Sequence, residues 1–293
     1  MAVLGVGTAN GSCSLLHAAG LGYGASLALD LPVKVRLLDK ESKKVLSDPD
    51  GLLEAVFDSW KAAGHNLPEG ELFWSVKSKI PPRQGLKSSS AVSVAAIKAL
   101  CDATGIELEN ADIVDIAASA QLASGVSITG SYDDSWAAIE GGWKLIDANA
   151  PDARSGLLLE SQGPLSEDWA VILILRGARE QRPVLEDFAY QQQAFTQALT
   201  ALQEGKDLVA LTWNGRGVIG ALNDNTAKRM ANDAVMNGAR AAGISGSGPA
   251  LAIFAPSISR STIDRLHNWY QKYDDVEIME TTIINAEFGA MDE

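Results

Sequence analysis

The chain has 293 residues, 46% hydrophobic and 21% charged, which excludes a disordered or fibrous protein. Its length points to two domains with cores large enough to need no disulfide staples. A net charge of −13, without a dense Lys/Arg cluster, argues against a nucleic-acid partner and makes any anion site a local feature.

The first 40 residues alternate short apolar runs with glycine, as in "VLGVGTANGS" and "AAGLGYGASLAL", which predicts strands joined by tight turns. Residues 51–64 carry helical spacing and end on Gly64 as a C-terminal cap. "ELFWSVKSKI" reads as a strand, and Ser90–Ala103 as a helix. A further helix covers "NADIVDIAASAQLASG", with Asn110 or Asp112 as cap. After a loop, a short helical piece and a strand, residues 149–156 look like a connection. "DWAVILILRG" is an unbroken apolar run and reads as a buried strand. Two or three helices lie between Val184 and Gly243; then come strand "PALAIFAP", helix "ISRSTIDRLHNWYQKY" and a last strand "DVEIMETTII". Runs of strands and helices in this order indicate an α+β chain.

Cys13 and Cys101 form no disulfide framework and no CxxC, and His17, His65 and His267 lack metal-site spacing. The N-terminus lacks the charged-then-apolar order of a signal peptide, and residues 14–31 are broken by glycines and reach Asp30, a poor membrane span. A cytoplasmic protein with no membrane partner is expected.

Three loops hold residue types suited to chemistry. The first, "PPRQGLKSSSA", spans residues 81–91: Gly85 permits a positive φ, Lys87 adds a cation, and Ser88, Ser89 and Ser90 sit where a helix begins. It reads either as serines capping a helix or as a helix N-terminus cupping an anion, which the macrodipole favours by about 0.3–1 kcal/mol. The pattern GxxxxGK[ST] is absent, because the only Gly-Lys pair, Gly205-Lys206, continues into Asp207; a P-loop is excluded. The second loop, "GISGSGPALAIF" at 243–254, alternates glycine and serine before a strand, either a plain turn or a place where backbone meets a ligand. The third, "TGSYDDSWAAIEGG" at 129–142, sets Asp133 and Asp134 side by side, as helix caps or as a carboxylate site for a proton or Mg²⁺.

In this order the three loops resemble the GHMP kinase superfamily, which includes galactokinase, homoserine kinase and mevalonate kinase. Pro82–Ala91 is similar to its motif P-x-G-x-G-L-G-S-S-A, and Ser245-Gly246-Ser247-Gly248-Pro249 to its glycine-rich third motif. Lys87 stands where the family usually has glycine, and three serines replace the usual two. "GLKSSSA" with "TGSYDD" resembles one branch, the archaeal-type shikimate kinase.

The resemblance implies a two-domain GHMP kinase fold: a ribosomal S5 domain 2-like domain over residues 1–155 and a ferredoxin-like domain over 156–293. It implies ATP and Mg²⁺ as cofactors and shikimate as the small-molecule substrate, phosphorylated on its 3-hydroxyl. Pro81, Pro82, Arg83, Gln84, Gly85, Leu86, Lys87, Ser88, Ser89, Ser90 and Ala91 are expected to wrap the triphosphate, with Ser245, Gly246, Ser247 and Gly248, and Ser89 to face the metal. Asp134 stands seven positions before Gly141, the family's spacing for its catalytic aspartate, so it is assigned the base and Lys87 the charge stabiliser. The family's metal-binding glutamate has no counterpart in "AASAQLASGVS". Arg176, Arg179 and Arg182 are candidates for the substrate carboxylate. Rival readings are a homoserine kinase, a diphosphate decarboxylase, and a non-catalytic metabolite-sensing protein.

Overall fold

The computed structural model describes residues 2–42, 46–127, 129–130, 132–179 and 183–287. Two long strands open the chain, β1 (Val3–Leu16) and β2 (Tyr23–Leu38), joined through the single turn of α1 (Ala18–Leu21). α2 (Leu52–Ala62), β3 (Phe73–Ser78), α3 (Ser88–Thr104), α4 (Asn110–Ala123), α5 (Asp133–Ile139), β4 (Trp143–Asp147) and β5 (Leu157–Ser161) follow. The second half runs β6 (Trp169–Leu175), α6 (Leu185–Ala189), α7 (Gln192–Gln203), α8 (Asp207–Leu222), α9 (Asn225–Met236), β7 (Ala241–Ile244), β8 (Leu251–Pro256), α10 (Arg260–Tyr270) and β9 (Glu277–Thr281).

The strands form two antiparallel sheets. The first has the order β1-β2-β4-β5, with β3 also pairing β2; the second has the order β7-β8-β6-β9. β5 lies beyond the boundary expected at residue 155 yet pairs with β4, so the first sheet extends past it. The chain after β9 also returns to that sheet, where Ile284 N–H donates to the Ala28 carbonyl at 3.1 Å and Gly142 N–H to the Ile284 carbonyl at 2.7 Å.

β1 and β2 are longer than the glycine-broken sequence predicts, because the glycines serve packing rather than turns. A Cβ on Gly5 or Gly7 would lie 2.1 or 1.9 Å from the carbonyl oxygens of Ala99 and Ala95, so their absence lets α3 lie directly on β1. α3 buries Val94, Ile97 and Leu100 completely. Each contributes roughly 1.5–3 kcal/mol by leaving water, which anchors the helix whose first turn faces the site. α10 shows the expected amphipathic pattern, with Ile263, Leu266 and Tyr270 buried. Cys13 and Cys101 are both free thiols. Among the described residues no helix is long and apolar enough to cross a membrane.

Candidate active site

The loop before α3 bends through three left-handed residues in five: Arg83 at φ 56°, Gly85 at 81° and Lys87 at 62°. The two that are not glycine cost of order 1–3 kcal/mol each, which the surroundings must impose. They do so by contact with the second glycine loop and with β1. Ser245 Oγ donates to the Gly85 carbonyl at 2.8 Å, Ala250 N–H donates to the Gln84 carbonyl at 3.1 Å, and Ser12 N–H to that of Leu86 at 3.3 Å. A Cβ on Gly85 would sit 2.0 Å from the Ser245 carbonyl oxygen, so no other residue fits there without moving the loop.

The serines do not cap the helix. Lys87 occupies the N-cap, no side chain caps the turn, and the first intrahelical bond runs from Ala91 N–H to the Lys87 carbonyl. The amides of Ser88, Ser89 and Ser90 therefore stand at the positive end of a 17-residue helix without an intrahelical acceptor. The Ser90 hydroxyl instead donates to Gln121 Oε1 at 2.7 Å, and Gln121 Nε2 donates to Ser135 Oγ at 3.0 Å. This buried amide ties the first turn of α3 to α4 and to α5, which carries the aspartates.

Lys87 reaches across the opening to Asp134: Nζ and Oδ1 are 2.6 Å apart. Ser26, fully buried on β2, places Oγ 2.7 Å from Asp134 Oδ1 and 3.0 Å from Asp133 Oδ2, one hydroxyl proton between two carboxylates. Burial alone would raise the Asp134 pKa, but Lys87 and the Ser26 hydrogen bond outweigh it and hold the carboxyl below the usual range. Burial likewise opposes charge on Lys87, and the two aspartates overcome it and raise its pKa.

Lys87, Asp133 and Asp134 line a cavity of about 620 Å³, with Ser26 buried behind the two carboxylates. Of the residues expected to bind nucleotide, Pro82, Arg83, Gly85, Lys87, Ser88, Ser89, Ser90 and Ser247 reach it, together with Asp133 and Asp134. Others support it from behind. Gln84 Oε1 accepts from Arg176 N–H at 3.0 Å, Leu86 and Ala91 are in the core, and Ser245 and Gly246 back the loop. Pro81 and Gly248 are not part of the cavity wall.

The three candidate arginines separate. Arg176 is committed to Asp224 through two contacts of 2.7 and 3.1 Å. Arg179 lines the cavity, with Nη1 3.3 Å from the Ser247 carbonyl oxygen. Arg182 lies outside the described residues.

His17, Ser26 and Gln121 were not singled out by sequence. His17 follows the first glycine-rich stretch, but a lone histidine carries no distinguishing signal. Its Nδ1 accepts from Ala19 N–H at 3.2 Å, which leaves the proton on Nε2, 3.0 Å from Ser247 Oγ. Burial, Lys87 and Arg179 push its pKa down to about 3 against the pull of Asp134, so the ring is neutral. Asn214 Oδ1 accepts from the His17 amide at 2.8 Å and fixes it in place.

A loop rich in unpaired amides beside a lysine–aspartate pair can bind a phosphate chain and take a proton from a hydroxyl. Residues 51–142 match the GHMP kinases N terminal domain. The chain is 32% identical over 151 residues to the shikimate kinase of Methanothrix thermoacetophila, a match covering 49% of this chain and 50% of the relative. That match thus spans half the relative's length. To the shikimate kinase of Methanobrevibacter smithii it is 24% identical over 287 residues, covering 94% and 95% of the two chains. The crystal structure of Methanococcus jannaschii mevalonate kinase superposes on it with a TM-score of 0.74 at 15% identity, over 96% of this chain and 98% of that one. The last comparison shows a shared fold, the GHMP kinase fold, with its two α+β halves.

Proposed function

We propose that this protein transfers the γ-phosphoryl group of ATP to the 3-hydroxyl of shikimate, giving shikimate 3-phosphate and ADP. The observation that carries this reading is the Lys87–Asp134 pair standing at the open N-terminus of α3. The amides of Ser88–Ser90 and the positive helix end hold the triphosphate, and Lys87 offsets negative charge on the transferred group. The acceptor oxygen attacks the γ-phosphorus as the bond to the β–γ bridging oxygen breaks. The hydroxyl proton passes to the Asp134 carboxylate, and ADP leaves. A carboxylate held below its usual pKa is a weak base, which suits a loose transition state in which the proton moves late.

Among the described residues no three His, Cys, Asp or Glu side chains converge as a metal cage. The Ser89 hydroxyl and Asp133 carboxylate are nevertheless hard oxygen donors on the wall of one cavity, and they fit Mg²⁺, which takes few protein ligands beside phosphate oxygens and water. When bound, the ion neutralises phosphate charge. Arg179 is the partner for the acceptor carboxylate, since it lines the cavity and Arg176 does not. The free thiols of Cys13 and Cys101 suit a reducing cytoplasm.

The test is ADP release with shikimate, homoserine, mevalonate and galactose. Turnover with shikimate far above the others is expected. Preference for homoserine would replace the substrate assignment, and no ADP release with any alcohol would leave a metabolite-binding protein.

A further inference from the structure

A second groove lies between α8 and α9, away from Lys87 and Asp134, with a volume of about 410 Å³. Its floor is apolar, built from Ile219, Ala231 and Ala242. Its walls carry Arg216 and Lys228 among uncharged amides, and no acidic side chain lines it. That is unusual in a chain where 37 acidic residues face 24 basic ones. Among the described residues neither cation has an ion-pair partner. The Arg216 guanidinium is held over the Trp213 ring, 4.5 Å from its centroid, rather than swinging freely. A pocket of this size with an apolar base and two cations above it matches a small organic anion: ring or chain on the floor, charged oxygens on Arg216 and Lys228.

The groove also connects to the first site. Asn223 and Asn225 on its rim flank Asp224, whose carboxylate holds Arg176, whose amide in turn holds Gln84 in the loop before α3. From the opposite face of α8, Asn214 holds His17. We infer that the groove is an effector site for phosphate monoesters with an apolar body, coupled to nucleotide affinity through the α8–α9 junction. The coupling rests on the ATP site proposed above; the binding does not.

Phenyl phosphate is the probe, with inorganic phosphate and phenol as controls, titrated calorimetrically into the full chain with and without a non-hydrolysable ATP analogue. Saturable binding is expected, at least tenfold tighter than for inorganic phosphate, undetectable for phenol, and retained when the analogue is present. The double variant Arg216→Gln/Lys228→Gln, on exposed positions, should keep the wild-type melting temperature and lose at least tenfold in phenyl phosphate affinity. Saturating phenyl phosphate should shift the analogue's Kd at least twofold in the wild type and leave it unmoved in the variant. Absent saturation, equal affinity in the variant, displacement by the analogue, or an unmoved analogue Kd each overturns the effector site. Failure of the analogue itself to bind would instead sink the kinase reading.

Discussion

Lys87 and Asp134 meet at 2.6 Å although 47 positions separate them in sequence, because Lys87 is the N-cap of α3 and Asp134 lies in the first turn of α5. The lysine sits in the loop that would hold phosphate, and the aspartate beside the space for an acceptor. In the proposed reaction this one ion pair joins the phosphate side to the acceptor side.

Replacing Asp134 with asparagine keeps the shape and removes the proposed base. Turnover should fall about 10²–10⁴-fold, the usual contribution of a positioned general base, while the Kd for ATP changes little. Turnover within a few-fold of wild type would remove Asp134 from that role.

Ser26→Ala deletes the hydroxyl shared by Asp133 and Asp134. A donor to the ionised form holds a carboxyl pKa down, so its loss raises the Asp134 pKa. The acid limb of the pH–kcat profile should move to higher pH, and kcat should drop about tenfold, the effect of losing one charge-assisted hydrogen bond. An acid limb that stays in place would show that Asp134 does not govern it.

Gly85→Ala forces a Cβ against the Ser245 carbonyl at a φ of 81°. The loop must shift, so the variant should lose more than about 2 kcal/mol of stability and raise the KM for ATP. Thermal melts and ATP titrations measure both. An unchanged melting temperature would mean that the two loops are not in contact as described.

Arg179 and Arg176 should behave differently. Arg179→Gln is expected to raise the KM for shikimate tenfold or more with little change in melting temperature. Arg176→Gln leaves Asp224, which is only 18% exposed, without its cation but still accepting from Ala227 N–H, and should lower stability by about 1–3 kcal/mol. The reverse pattern would exchange their roles.

His17 makes the fold acid-sensitive. Its pKa is about 3 when folded, against an ordinary histidine value of 6.5, so below pH 6.5 the unfolded chain binds the extra proton. Stability attributable to this residue is complete above pH 6.5 and is lost progressively as the pH falls toward 3. His17→Gln should flatten that slope in denaturant melts recorded between pH 7 and 4. An equal slope in the variant would assign the sensitivity to the carboxylates.

The motifs, the α+β order and the candidacy of Lys87, Ser88–Ser90 and Asp134 came from the chain itself, because glycine, lysine, serine and paired aspartates at loop–helix junctions are local signals with local physical causes. The α10 stripe and the β6 run were readable for the same reason: periodicity records burial. Tertiary structure alone decided that the glycines of β1 are packing sites under α3, and that Ser245 and Gly246 brace the loop before α3 from behind. It also brought His17 and Gln121 to the cavity, set Ser26 behind Asp133 and Asp134, and divided Arg176 from Arg179. A serine in a strand or a glutamine in a helix looks the same whether it faces solvent or a buried carboxylate. Only the contact of segments remote in sequence assigns its hydrogen bonds and sets the charge state of its neighbours.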